Sequence, residues 1–218
     1  MDGSGAGQQQ KKKVISLKAI DATPANFKEY GQVVGASPDG ARYGPLDAQL
    51  QLNLGTPRFY IMNLTGRALR FNSITHHASV TQCLGSVGGQ QWYMGVASPS
   101  IVKTNESEGY EADSIRDVAK HNDGDDNSNE SMKQFHQGGI FRSKAGHYYI
   151  PPSPEDVKVF RVQGSQFLKL NVGTWHAGPL FKDASMDFYN LELSDTNEVD
   201  HTTHVFSEKD GVGFVIEE

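Results

Sequence analysis

From Val14 to Ala19, the side chains Val14, Ser16 and Lys18 alternate with Ile15, Leu17 and Ala19, the period-two pattern of a strand. The next segment changes period: Thr23 stands as an N-cap, Pro24 takes the first helical position, Phe27 and Tyr30 share a face, and Gly31 is a stop. One short N-terminal helix is predicted there. From Gln49 onward the alternation returns in QLQLNLG, RFYIMNL, LRFNSITHH, VTQCLGS, QQWYMGVAS, GHYYIPP, VKVFRVQ, QFLKLNVG, DFYNLELS and GVGFVIEE. Strands every ~8 to 12 residues, with Gly, Pro, Asn and Ser at the junctions, predict an antiparallel double-sheet β-barrel and not a parallel α/β sheet.

Two stretches break the order. Met1 to Lys13 carries Gly, Ser, Gln and the run Lys11-Lys12-Lys13 with little to bury, and is expected to be a disordered tail (residues 1–13). Residues 103–137 form an acidic insertion centred on KHNDGDDNSNESMKQ, expected to be a flexible surface excursion. Its Asp123, Asp125, Asp126, Asn127 and Asn129 depart from calcium-loop spacing. The remainder, residues 14–218, is expected to be one domain, since a chain of 218 residues suits a single all-β unit. With 23 glycines, 8 tyrosines and 11 phenylalanines, the composition supports strands and turns.

A net charge of -6 disfavours nucleic acid as a partner, because phosphate binding needs clustered Lys and Arg. Cys83 is the only cysteine, so an intramolecular disulfide and a Cys-based zinc site are both excluded. No signal peptide and no apolar run of ~18 residues is evident, which sets the expectation of a soluble intracellular protein, cytoplasmic by default, with no membrane partner. Nucleophile-elbow, P-loop and HExxH motifs are missing, and Gly85, Gly88 and Gly89 lack the strand-to-helix context of a nucleotide or flavin site.

The candidate chemistry concentrates in FLKLNVGTWHAGPLF, Phe167 to Phe181. A histidine delivered just past the Gly173 turn should point into a pocket, which marks His176. If Leu168 and Leu170 face the apolar layer, then Lys169 and Asn171 face the cavity. A buried lysine there could exchange protons, whereas one at a barrel mouth would reach solvent. In SITHHASVTQ, adjacent residues face opposite sides, so only one of His76 and His77 can enter the same pocket. Arg142 could clamp a carboxylate. Other polar groups near strand ends are His147, Tyr148, Tyr149, Asp187 and Tyr189. His201 and His204, in DHTTH, have a spacing that binds metal on a helical turn and is solvated in a loop. Trp92, Tyr93, Tyr148 and Trp175 around a mouth would suit a larger, less polar ligand.

NFKEYGQVV, HHASVTQCLGS, DVKVFRVQGSQFLKLNVGTWHAGPLF and MDFYNLELSD together resemble the ureidoglycolate lyase (ureidoglycolate hydrolase) family of the cupin superfamily. The likeness spans most of the chain, with the insertion pointing to a divergent, plant-like branch. His77 with Gln82, and Asn171 to His176, loosely match the two cupin motifs; Thr75, Gln82 and Asn171 depart from them. The resemblance implies a cupin-like jelly-roll barrel, a homodimer, and cleavage of the small molecule ureidoglycolate to glyoxylate and urea in purine breakdown. For that reaction His176 and Lys169 are the expected catalytic residues and His77, Gln82 and Asn171 the expected substrate-binding residues, joined by Arg142 on the ground of its residue type alone. A divalent metal, nickel in this family, would be held by His77, Gln82 and His176. The alternatives are an enzyme acting on another small hydroxy acid or specialised metabolite, and a noncatalytic small-molecule binding protein.

Overall fold

A computed structural model describes residues 13–102, 115–117 and 139–218. The expected tail and the acidic insertion lie outside these residues, save Lys13 and Ile115–Asp117, which are in strands.

The chain is all-β, built on two sheets laid face to face. One has six strands in the order Thr202–Val205, Ser73–His76, Trp175–Leu180, Trp92–Ala97, Lys158–Val162, Ile20–Asp21. The other has five antiparallel strands in the order Gly31–Val34, Phe167–Leu170, Gln82–Ser86, Ser185–Leu193, Pro57–Thr65. Among the described residues, hydrogen bonds do not join the two into a closed cylinder. Alternation explains the layer between them: Leu84, Leu168, Leu170, Met186 and Phe188 of the five-stranded sheet meet Trp92, Met94, Val96, Phe160 and Val162 of the six-stranded sheet in one buried cluster.

The far side of the six-stranded sheet is covered as well. Trp175, Ala177 and Ile74 point outward onto Phe206, Val212 and Phe214, and a three-stranded sheet of Lys13–Lys18, Val212–Glu217 and Arg70–Phe71 packs there. A four-stranded sheet of Ile115–Asp117, Ile140–Arg142, Tyr148–Tyr149 and Ile101–Val102 joins the same side through Tyr149 against Trp175. Among the described residues no helix is long and apolar enough to cross a membrane.

Two local expectations are corrected. The predicted N-terminal helix is instead a pair of successive turns. Thr23 and Asn26 exchange side-chain bonds to each other's backbone N–H, but the ladder stops after Phe27 N–H bonds Thr23 O and Gly31 N–H bonds Phe27 O. Burial of Phe27 and Tyr30, and the pairing of Gly31 with Leu170, pull the chain into a strand before helix can propagate. QLQLNLG is not a strand either: Gln49 N–H bonds the Gln32 side chain and Gln51 bonds Thr81, so this stretch crosses the sheet end without a partner strand. The helices lie elsewhere, at Thr196–Val199 and Phe206–Lys209, with a 3-10 turn at Pro154–Asp156.

Candidate functional site

At one end of the sandwich the apolar filling gives way to a cleft of about 580 Å³ between the sheets. The change can be followed along single strands. Met186 and Phe188 are core, and the next inward residues, Asn190 and Glu192, line the cleft; Leu84 is followed inward by Gln82, and Leu64 and Met62 by Tyr60.

Three imidazoles line this space: His77, His176 and His201. The rings of His77 and His176 lie 5.3 Å apart, and those of His77 and His201 5.7 Å. Each has its Nδ1 side tied to an acceptor. His77 donates to the Asp200 carbonyl at 2.6 Å, His176 to the Thr174 carbonyl at 3.2 Å, and His201 to Asn197 Oδ1 at 3.4 Å. A carbonyl oxygen can only accept, so Nδ1 carries the hydrogen and Nε2 is left as the lone-pair nitrogen on all three rings. Burial, then the neighbouring His77, push His176 down to about 3. His201 is lowered for the same two reasons, against the opposing Asp200 and Glu192.

A polar network closes the inner wall. Glu192, 1% exposed, accepts from Tyr60 Oη at 3.0 Å and Gln82 Nε2 at 2.9 Å, while Gln82 Nε2 also reaches Asn190 Oδ1 at 3.2 Å and Asn190 Nδ2 donates to Tyr60 Oη at 2.9 Å. Both Gln82 amide hydrogens are thus committed, and its Oε1 is buried without a partner. Arg67 and Arg70 line the mouth and are exposed.

The turn that aims His77 is held from a distance. Asp200 is buried, and its carboxylate accepts the backbone N–H groups of Ala78 and Ser79, both at 2.7 Å, while its carbonyl fixes the His77 ring. On the other side, Gly173 has φ +80 and its N–H bonds the His77 carbonyl at 2.7 Å, so the turn before His176 and the turn after His77 are joined.

The structure therefore brings together His77, Gln82 and His176, as predicted from sequence, and it chooses between the adjacent histidines as strand parity requires. His76 points outward, fully buried against Trp175 at 4.0 Å between ring centroids, with Nε2 2.7 Å from His147 Nε2. The other predicted residues lie elsewhere. Leu168 and Leu170 face the inter-sheet core, so Lys169 takes the outer face, paired across from Cys83, with Nζ donating to Asn171 Oδ1 at 2.8 Å. Burial lowers Lys169 and raises Cys83 to about 11. Arg142 sits exposed on the four-stranded sheet, away from the cleft. Trp92, Tyr93 and Trp175 are core side chains.

Sequence reasoning did not single out Tyr60, Arg67, Arg70, Asn190, Glu192 or Asp200. The signal available for Asn190 and Glu192 was the inward register of MDFYNLEL, in which Met186 and Phe188 are followed by two polar residues on the same face. Among the described residues no group of three or more His, Cys, Asp or Glu is gathered closely enough to hold a metal ion. The cleft thus sets three imidazoles, two of them lowered by burial, beside a buried carboxylate, with two guanidinium groups at its opening. No family model matches the chain, and no curated protein matches it.

Proposed function

We propose that the cleft cleaves ureidoglycolate, or a similar small hydroxy acid with nitrogen on the hydroxylated carbon, to glyoxylate and urea, on a cupin-type jelly roll. One observation carries the reading: three imidazoles gathered in one cleft, each tied through Nδ1, with the Nε2 lone pair of His201 facing the Thr75 hydroxyl at 3.5 Å. Arg67 and Arg70 supply the positive charge that a substrate carboxylate needs at the mouth. His176 is neutral in the empty cleft and able to accept a proton at Nε2.

In this reaction the His176 imidazole takes the hydroxyl proton, the oxygen lone pair forms the carbonyl, and the C–N bonding pair leaves with the urea nitrogen. The imidazolium returns its proton to that nitrogen, so the cycle consumes no proton overall. A bound carboxylate raises the basicity of the nearby rings, which lets an imidazole held low in the free protein work once substrate is present. Lys169, on the outer face, has no part in this scheme.

A second reading, a noncatalytic module for a small carboxylate, is favoured by that same placement of Lys169 together with the low basicity of His176. The discriminating experiment is release of glyoxylate and urea from ureidoglycolate by the purified protein, with and without nickel, manganese or zinc. Turnover reduced at least on the order of 100-fold in His176→Ala supports the lyase. Binding of the compound without turnover in every condition supports the module.

A further inference from the structure

The wall of the cleft on the five-stranded sheet is laid out in rows by the strand register. Glu192 and Gln82 stand at one end, Asn190 with Tyr60 and Leu84 makes the next row, and the rows of Met62 and then Leu64 follow, opposite Phe188 and Met186. The step from Asn190 to Met186 covers about 13 Å at the ~3.4 Å rise of an antiparallel strand. Beyond it the Gly66 N–H bonds the Ala184 carbonyl, which sets Arg67 past the Leu64 row. The imidazoles belong to the opposite end. His201 is tied there through Asn197, which donates to Glu192 at 3.5 Å, and His77 and His176 follow from His201 ring by ring. Between the two ends the lining is apolar, with Met62, Leu64 and Leu84 on one wall and Gly178 and Pro179 on the other.

We propose that the cleft takes a medium-chain acid laid along this track, with its carboxylate on Arg67 and Arg70, its methylene chain over Met62 and Leu64, and a hydroxyl or amide at the far end among the imidazoles. Each part of the ligand follows from the lining. Among the described residues neither guanidinium is paired with a carboxylate, so both are available to an anion. The middle offers no polar side chain, and a charged or polyhydroxylated body would lose its water there without replacement. At the inner end the lone-pair nitrogens of His77 and His176 accept from a hydroxyl or amide, whereas a second carboxylate would be set against Glu192.

The dimensions set the chain length. A volume of about 580 Å³ lies within the ~300–1,000 Å³ that encloses ligands of drug size, and a two-carbon hydroxy acid fills only part of it. Of the track's ~13 Å, a hydrogen-bond contact takes about 3 Å, which leaves roughly 10 Å for the ligand. At roughly 1.25 Å per CH2, from a C–C bond of ~1.5 Å, that is about eight carbons. This ligand class goes beyond the lyase reading and does not rest on it.

The test is calorimetric titration of the full chain with ω-hydroxy acids of four to twelve carbons, with octanoate and octanediol as the compounds that lack one end group. Affinity should rise about twofold per CH2 from four to eight carbons, about half the effect of full burial because the cleft is open on one side, and should stop rising by twelve. Octanoate and octanediol should each bind at least about fivefold more weakly than ω-hydroxyoctanoate. Met62→Asp should flatten the dependence on chain length, and Arg67→Ala combined with Arg70→Ala should bring ω-hydroxyoctanoate down to the level of octanediol. Absence of binding, a series flat from four to eight carbons, a rise that continues unbroken to twelve, or octanoate equal to ω-hydroxyoctanoate each overturns the proposal, as does a chain-length dependence that survives Met62→Asp. A flat series beside ureidoglycolate turnover removes this proposal alone, and the expected series without turnover removes the lyase alone.

Discussion

His76 should make the protein lose stability in mild acid, well before its carboxylates protonate. The ring is fully buried between Trp175 and His147, and burial first, then His147, His77 and His176, hold its pKa at about 3 against an ordinary 6.5. Because the folded value lies below the unfolded one, the unfolded chain binds the proton more tightly throughout this window. The contribution is fully present above pH 6.5 and declines as pH falls toward 3. Between pH 7.5 and 5.5 a ring that stays neutral when folded costs about 1.4 kcal/mol of stability, a sizeable part of a total of ~5–15 kcal/mol. His147, lowered by burial in the same direction, adds to the slope in both proteins compared below. Urea unfolding at half-unit pH steps would measure it for the natural chain and for His76→Gln, which keeps a polar side chain but does not titrate. The variant should start less stable at pH 7.5, having lost the Trp175 contact, yet lose about 1.4 kcal/mol less on going to pH 5.5. Two stability curves that run parallel within about 0.5 kcal/mol would refute the reasoning, as would a His76 resonance titrating above pH 6.

The other predictions concern the cleft and its supports. Asp200→Asn removes the charge from two short backbone hydrogen bonds and turns one amide hydrogen against an N–H; it should destabilise the fold by about 1–3 kcal/mol in urea titrations and shift the His77 ring signals. Gly31→Ala would place its methyl group 1.8 Å from the Lys169 carbonyl oxygen, so the variant should unfold at much lower urea or fail to accumulate. A small carboxylate should bind more tightly as pH falls from 7.5 to 5.5, with calorimetry in two buffers showing proton uptake, because its charge raises imidazoles that are held low in the free cleft. Affinity that is flat over this range, or weaker in acid, would contradict the charge assignment of the cleft.

Much of the strand set was legible because period-two alternation is a direct image of a two-sided sheet, as in Pro57–Thr65 and Ser185–Leu193. The same rule separated His76 from His77. It could not say which face of Phe167–Leu170 was the interior, since Lys169 and the two leucines are all buried and only the partner layers tell them apart. The Thr23 to Gly31 signals were real at the level of hydrogen bonds, but the requirement that Gly31 enter the sheet overrode them. Asp200 was hidden for another reason. Its three bonds reach residues 77 to 79, more than 120 positions away, and no local pattern encodes a contact of that span.

The tandem His76-His77 also bears on how the site tolerates insertions and deletions. A one-residue slip in Ser73–His76 exchanges inward and outward side chains along the whole strand, which at most positions would swap a core residue for a polar one. Here the direction of the slip decides which role survives: moving His76 into the place of His77 keeps an imidazole facing the cleft and sets Thr75 against Trp175, whereas the opposite slip keeps an imidazole on Trp175 and turns Ala78 toward the cleft.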